Sequence, residues 1–271
     1  MLDPQRVAWQ SLQLTAKKVG IKAAMEVRLT FPPVPARSSP VPPGSKASTD
    51  PPGVIVESTA TFAGRTITAV ERGDAATAAT HEIVNIETGA RQHRKIYRIT
   101  PRGFLLDLFE PANAKETELP AQAWTQLTRT FTYYPTGLPP DAVITGPNAL
   151  LYAASASSLA KGGDTLALYV LVKNQIEKVT LRLLAEEIAQ LDYEAYARDG
   201  VSRVQGPVNV IRVALKSEPL DGEDGSSFRL FGLEGDIEIL WDPVRRVPVE
   251  IAGQMKFLGR VEVRLVSATL R

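Results

Sequence analysis

Apolar and polar side chains alternate along the final 37 residues of the chain. Three runs carry the alternation, separated by proline, glycine and charged residues, and a turn is expected at Gly253. The apolar members are Ile237, Ile239, Trp241, Val247, Val249, Ile251, Val261, Val263 and Leu265. A period of two places them on one face of a pleated sheet. The pattern predicts three adjacent antiparallel strands with one dry face. The face that meets water carries Asp236, Glu238, Glu250, Glu262 and Arg264.

Similar alternation predicts strands through most of the remaining chain. A first hairpin is expected from residues 7–29, with its turn around residues 18–22. Further short strands are expected at 54–60, 66–71, 81–86, 95–109, 164–173, 177–184, 191–198, 208–216 and 228–233. Residues 121–130 fit neither a helical nor a strand period, so that segment is left open between a helical turn and a strand.

Residues 139–159 form the one segment whose composition favours a helix. Alanine and leucine dominate its body, and Pro147 suits a first helical turn because proline has no N–H to leave unpaired. Gly162 and Gly163 supply the expected stop.

Residues 31–53 contain eight prolines, which remove backbone donors from any hydrogen-bond ladder. We interpret this segment as a long surface loop, with a proline-rich ligand for a partner as the alternative. The whole pattern predicts a mainly β protein built on a large curved antiparallel sheet or open β-barrel, with one or two short helices. The chain 1–271 is expected to form a single domain, with two β subdomains split near residue 140 as the alternative.

Charge and composition argue against several classes of protein function. The chain has 31 basic and 30 acidic residues and a net charge of +1, without the basic stripe that nucleic-acid binding requires. The absence of cysteine excludes disulfides, thiolate catalysis and cysteine-based metal sites. The longest apolar run, 166–172, is far shorter than the ~20 residues of a membrane-spanning helix. The N-terminus lacks an apolar signal core, so the protein is either cytosolic or begins after a removed export signal.

Catalytic motifs are not found. The two histidines, His81 and His93, have no zinc-ligand spacing, and no phosphate-binding or nucleophile-elbow glycine motif occurs. The segment 221–225 lacks the later glutamate of a calcium loop and is interpreted as a hairpin loop. We therefore expect a non-enzymatic protein without a cofactor or metal.

The dry face of the C-terminal strands is the better candidate for a site. If the barrel is incompletely filled, its apolar lining would hold a lipid or another hydrophobic molecule. The candidate lining residues are Ile239, Trp241, Val249, Ile251, Val263 and Tyr169. The alternative is that these side chains simply fill the barrel.

The C-terminal segments Trp241-Asp-Pro-Val-Arg-Arg-Val-Pro-Val and Leu258-Gly-Arg-Val-Glu-Val-Arg-Leu-Val-Ser resemble a family of exported Gram-negative bacterial proteins classed as a domain of unknown function. The hairpin within 14–29, the segment Asn148-Ala-Leu-Leu-Tyr-Ala and the following Gly163-Asp-Thr-Leu are weaker matches. The resemblance implies a periplasmic location and an open β-barrel similar in shape to periplasmic lipoprotein carriers. It implies no catalytic residue.

Two functions are compatible with the sequence. The first is a periplasmic protein that binds a lipid or acylated molecule in a β half-barrel. The second is a structural or assembly protein of the cell envelope, with a packed barrel and a protein partner. Cavity volume distinguishes the two, because a carrier requires a void of several hundred Å³ lined by apolar side chains.

Overall fold

One large sheet dominates the computed structural model, which describes residues 1–18, 21–32, 53–220 and 228–271. Its strands within these ranges are β1 (Trp9–Lys18), β2 (Ile21–Thr30), β3 (Gly53–Phe62), β4 (Arg65–Asp74), β5 (Thr80–Thr88), β6 (His93–Thr100), β7 (Gly103–Glu110), β8 (Gln126–Tyr133), β9 (Ile144–Thr145), β10 (Thr165–Val172), β11 (Gln175–Ala197), β12 (Gly200–Pro219), β13 (Glu234–Asp242), β14 (Val247–Met255) and β15 (Gly259–Leu270). The described part also contains the helix α1 (Ala149–Ala156) and three short 3-10 turns at Pro4–Arg6, Glu116–Glu118 and Ala121–Ala123. The predicted mainly β fold with a curved sheet and a short helix is confirmed. Most of the proline-rich segment and the loop at 221–225 lie outside the described residues.

The strand order is β8-β7-β6-β5-β4-β3-β2-β1-β15-β14-β13-β12-β11-β10-β9. Neighbouring strands are antiparallel except that β9 runs parallel to β10. Because β1 pairs with β15, strands from before and after residue 140 belong to the same sheet. The predicted first hairpin is confirmed, with Lys18 paired to Ile21.

The C-terminal strands follow the predicted alternation. Ile239 pairs with Ile251, which in turn pairs with Val263, so three apolar side chains stand in one row across β13, β14 and β15. All nine apolar residues of the pattern are buried. The expected turn at Gly253 is wrong, because Gly253 lies inside β14 opposite Val261 and the chain turns after Met255. A Cβ at Gly253 would lie only 3.0 Å from the Leu233 Cβ, so glycine permits a close approach there.

The sheet curls until strands distant in its order meet. The C-terminal halves of β11 and β15 pair in parallel, with Ala195 opposite Ala268, which closes β11–β15 into a ring. We call these five strands the ring. The curvature follows from the length of the β11–β12 hairpin and from its irregularity between Leu183 and Glu186, because such irregularities bend a strand.

Two apolar clusters are enclosed by this curvature. The first contains the inner face of the ring together with side chains from α1 and β1–β3. The second lies where β5–β7 pack against β9–β11, with Tyr97 and Phe104 on one side and Ile144 and Leu171 on the other. The sheet is therefore rolled, so that strands β5–β7 face strands β9–β11 across the second cluster.

The predicted helix is only partly correct. Helix α1 covers Ala149–Ala156, whereas Ile144–Thr145 forms the short strand β9. Pro147 stands just before the helix, and the helix ends at Ser157 rather than at the predicted glycines, with the Ser157 hydroxyl donating to the Ala154 carbonyl.

The predicted strand at 228–233 is wrong. Leu230 and Leu233 form an isolated bridge around a tight turn in which Phe231 adopts φ 54°. Both leucines are fully buried, so the apolar spacing reflects burial of a turn rather than a strand.

Candidate functional site

The residues predicted to line a cavity are packed against other side chains. Ile239 and Ile251 have 0% of their surface exposed, and Trp241 and Val263 have 8%. A void large enough for water would leave accessible surface on the side chains around it, so no such void touches the two isoleucines. Val249 is buried in the same cluster.

Tyr169 is placed elsewhere. It lies on β10, is half-buried, and packs against the second cluster rather than the first. The structure thus brings five of the six predicted lining residues together and separates the sixth from them.

Helix α1 fills space on the inner face of the rolled sheet. Seven of its eight residues are buried, which is expected for a helix that is apolar on all sides. The Trp9 indole Nε1–H donates to the Ser155 hydroxyl at 2.9 Å, and the Tyr152 hydroxyl donates to the Ala75 carbonyl. These bonds join α1 to β1 and to the segment after β4, so the helix is held in place within the fold.

Charged side chains from distant elements hold both ends of α1. At the N-terminus the Glu71 carboxylate accepts the N–H groups of Asn148 (3.1 Å) and Ala149 (2.8 Å). At the C-terminus Arg246 donates to the Ser155 carbonyl at 3.0 Å, and Arg6 donates to the Ser157 carbonyl at 2.8 Å. When the Glu71 carboxyl is ionised, an anion at the N-terminus and cations at the C-terminus match the helix dipole. All three groups satisfy backbone atoms that the helix itself leaves unpaired.

Glu71 is the buried acid of this arrangement. Burial raises its pKa from 4.5 to about 7, against the opposing effect of the two N–H groups that it accepts. Gly146 lies against the carboxylate, and a Cβ at that position would clash with it. The Gly146 N–H also donates to the Thr80 hydroxyl at 3.0 Å, so β4 and β5 together anchor the segment that leads into α1.

The turn on which the family resemblance rests has a structural role here. Asp242 is fully buried, and its Oδ1 accepts the N–H groups of Val244 (2.9 Å) and Arg245 (3.1 Å). The Tyr193 hydroxyl donates to its Oδ2 at 2.7 Å. Burial raises the pKa of Tyr193, and the bond to Asp242 raises it further. The turn thereby fixes the backbone that presents Arg246 to α1.

The surface offers a second kind of candidate site at the edge strand β8. Nearly all of its residues are exposed, including Leu127 (47%), Phe131 (40%) and Tyr133 (69%). The Phe131 and Tyr133 rings contact each other edge to face, with centroids 5.0 Å apart. Arg129 is held by the buried Asp107, which accepts from its Nε at 2.5 Å and also pairs with Arg98 at 2.7 Å. These two arginines hold the pKa of Asp107 below its usual value.

The backbone of β8 presents outward hydrogen-bonding groups that pair with no other strand of the described residues. In the register of β7 and β8, Tyr134 lies opposite Arg102, and the Tyr134 N–H donates to the Arg102 carbonyl. In an antiparallel pair, hydrogen-bonded and non-hydrogen-bonded residues alternate along each strand. The even-numbered residues of β8 therefore bond to β7. The N–H and C=O groups that point away from β7 belong to Leu127, Arg129, Phe131 and Tyr133.

Sequence reasoning missed this edge. The segment 121–130 showed no clear period because an exposed edge strand has no apolar face to create one. A weak signal existed in Gln126–Tyr133, where threonines alternate with leucine, arginine, phenylalanine and tyrosine.

No group of three or more potential metal-ligating side chains occurs in the described residues. His81 is exposed, whereas His93 is half-buried beside Glu87, and burial lowers the pKa of His93. None of the helices within the described ranges is long and apolar enough to cross a membrane.

Comparisons with known proteins give no relative for this arrangement: no family model matches the chain, and neither a curated protein nor a solved structure matches it.

Proposed function

We propose that this protein is a non-enzymatic assembly protein of the cell envelope, which acts through protein–protein contacts of its sheet edge. The observation that carries the proposal is the combination of a filled interior with an open edge at β8. We propose a periplasmic location as well, which is supported by the resemblance of the Asp242–Val249 turn to exported proteins. Fractionation of cells that express the protein from its native gene tests the location.

The filled interior argues against transport of a lipid inside the barrel. Five of the six predicted lining residues are at most 8% exposed, and α1 occupies the inner face with polar anchors at each end. A ligand could enter only if the helix moved out. That movement would leave Glu71 and the terminal carbonyls of the helix without their partners, at about 1–3 kcal/mol for each buried group.

The edge at β8 lacks the features that usually prevent strand pairing. Natural edge strands are protected by lysine, proline, bulges or short length. β8 has eight residues, contains no lysine or proline, and pairs with β7 without a bulge. Its one charged side chain, Arg129, is bound to Asp107.

We propose a second copy of this chain as the occupant of the edge, because β8 is complementary to itself. In an antiparallel pair centred on Thr130, Leu127 lies opposite Tyr133 of the other copy, and Arg129 lies opposite Phe131. All four outward-facing residues then become hydrogen-bonded pairs, which gives eight backbone hydrogen bonds. An arginine facing an aromatic ring adds a cation–π contact, which contributes about 0.5–1 kcal/mol at exposed sites.

One paired strand is a small interface, so the association is expected to be weak. Each hydrogen bond contributes about 1 kcal/mol net, and association costs at least ~4 kcal/mol in lost freedom. With the two cation–π contacts included, these contributions leave about −5 to −6 kcal/mol, so we expect a dissociation constant on the order of 100 μM.

Sedimentation velocity from 1 to 300 μM tests the proposal, with two changes at one position. Phe131→Pro removes an outward N–H without removing a bond to β7, and Phe131→Lys places a charge on the exposed face. Phe257→Lys is the matched control, because Phe257 is 94% exposed on the distant β14–β15 turn.

The wild type and Phe257→Lys should dimerise alike, and both Phe131 variants should associate at least about tenfold more weakly. Circular dichroism establishes that each variant is folded. A wild type that stays monomeric throughout this range, or Phe131 variants that dimerise normally, would refute the proposal.

A further inference from the structure

A pocket of about 540 Å³ opens on the rolled sheet, and no residue of β8 lines it. It lies where the ends of β11 and β15 meet the start of β1 and the end of β2. The parallel pairing of Tyr196 with Thr269 forms one side of it. This volume lies within the ~300–1,000 Å³ of typical small-molecule sites.

The charged side chains of the pocket have one sign. Arg198 and Arg271 line it, and none of the described lining residues is acidic. Arg198 is exposed and has no ion pair within the described residues. Among the described residues, the only hydrogen-bond acceptor of the Arg271 guanidinium is neutral, the Pro4 carbonyl at 3.2 Å. Two guanidinium groups without a carboxylate partner are suited to bind an anion.

The rest of the lining combines an apolar surface with neutral polar groups. Leu29, Phe31 and Leu270 supply the apolar part. The Arg271 guanidinium lies 4.3 Å from the centroid of the Phe31 ring, and that ring contacts the Tyr152 ring of α1 at 5.9 Å. Phe31 and Arg271 are thus held in place by the core, so one apolar and one cationic wall are pre-organised side by side.

We infer that this pocket binds an amphiphilic anion, in which a phosphate or carboxylate head lies between Arg198 and Arg271 and a short apolar chain covers Leu29, Phe31 and Leu270. The inference is independent of the β8 edge, because the two sites share no residue. It also places a hydrophobic ligand at the rim of the sheet, where the filled interior presents no obstacle.

Isothermal titration calorimetry of the full chain tests the inference with three probes. Octyl phosphate carries both the anionic head and the apolar chain, inorganic phosphate carries the head alone, and octyltrimethylammonium carries the chain with the opposite charge. All probes are used below their micelle concentrations.

We expect octyl phosphate to bind at least about tenfold more tightly than either other probe. Arg198→Gln and Arg271→Gln should each weaken its binding about fivefold or more, since each removes a charge-assisted hydrogen bond. Arg102→Gln is the control, because it removes the same charge from the exposed turn between β6 and β7. Thermal melts establish that the variants remain folded.

Each contrary result overturns the inference in a distinct way. Equal binding of inorganic phosphate would show an anion site without an apolar part. Equal binding of octyltrimethylammonium, or unchanged binding in both arginine variants, would show non-specific adsorption of the chain. Absence of binding by octyl phosphate at millimolar concentration would show that the pocket has no such ligand.

Discussion

The buried carboxyl of Glu71 should make the stability of this protein fall as the pH rises from 4.5 to 7. Burial raises its folded-state pKa to about 7, compared with 4.5 for an exposed glutamate. Between these values the folded state holds a proton that the unfolded state has released. Stability from this group is therefore complete below pH 4.5, declines as the pH rises through the folded-state pKa, and stays constant above it.

The magnitude follows from the difference between the two pKa values. The difference is 7 − 4.5 = 2.5, and each pKa unit corresponds to ~1.4 kcal/mol, which gives roughly 3–4 kcal/mol. No solvent discount applies, because Glu71 is 2% exposed. The ionised form remains tolerable only because it accepts two N–H groups at the start of α1.

Urea unfolding at intervals from pH 4.5 to 8, followed by circular dichroism, measures this effect against two variants. Glu71→Gln cannot titrate, so the free energy of unfolding of the wild type minus that of the variant should decrease by about 3 kcal/mol across the range. Glu57→Gln changes an exposed glutamate on the neighbouring strand β3, and its curve should run parallel to that of the wild type. If the free energy of unfolding of the wild type minus that of Glu71→Gln stays constant or increases with rising pH, the assignment of Glu71 as the titrating group is wrong.

Three further changes test the interior by the same unfolding assay. Ile251→Ala should cost about 3–4 kcal/mol, because truncation in a filled core leaves a cavity, and a cost below ~1 kcal/mol would show that a void was already present. Asp242→Asn should cost about 2–3 kcal/mol, because its amide N–H₂ would face either the Arg245 guanidinium, which donates to Oδ2 at 3.3 Å, or two backbone N–H groups. A neutral effect would contradict the bonds described for the turn. Arg246→Gln should cost about 1–2 kcal/mol, because it leaves the Ser155 carbonyl at the end of α1 unpaired. An unchanged urea midpoint would show that Arg246 does not stabilise the end of this helix.

The positions of the C-terminal strands could be predicted from the sequence because one face of these strands is buried and the other is exposed to solvent. Burial of Ile237, Ile239 and Ile251 forces the period of two, and the pairing register follows from it. The same reasoning placed the turn wrongly at Gly253, where the residue serves close packing inside β14 instead.

Contacts between residues distant in sequence could not be predicted. Glu71 and Ala149 are 78 residues apart, and no local pattern marks a glutamate on a strand as the cap of a later helix. The extent of α1 is likewise set by tertiary partners, since its composition alone suggested a segment from 139 to 159. Helix propensity is a weak signal that such contacts override.

The β8 edge could not be predicted for a different reason. A strand exposed on both faces carries little periodic burial, so residues 121–130 could not be assigned to one element. The pairing of β11 with β15, which closes the ring, could not be predicted from the sequence either. Parallel pairing between strands that are distant in sequence leaves no local pattern.

Amide hydrogen exchange along β8 tests the proposed edge-to-edge association most directly. Measured by NMR at 10 and 300 μM, the amides that bond to β7 should be slow at both concentrations, and these belong to Thr128, Thr130 and Thr132. The outward amides should exchange fast when dilute and become protected when concentrated, and these belong to Leu127, Arg129, Phe131 and Tyr133. Fast exchange of the outward amides at both concentrations would contradict the proposal, because their N–H groups would then remain free of a second copy.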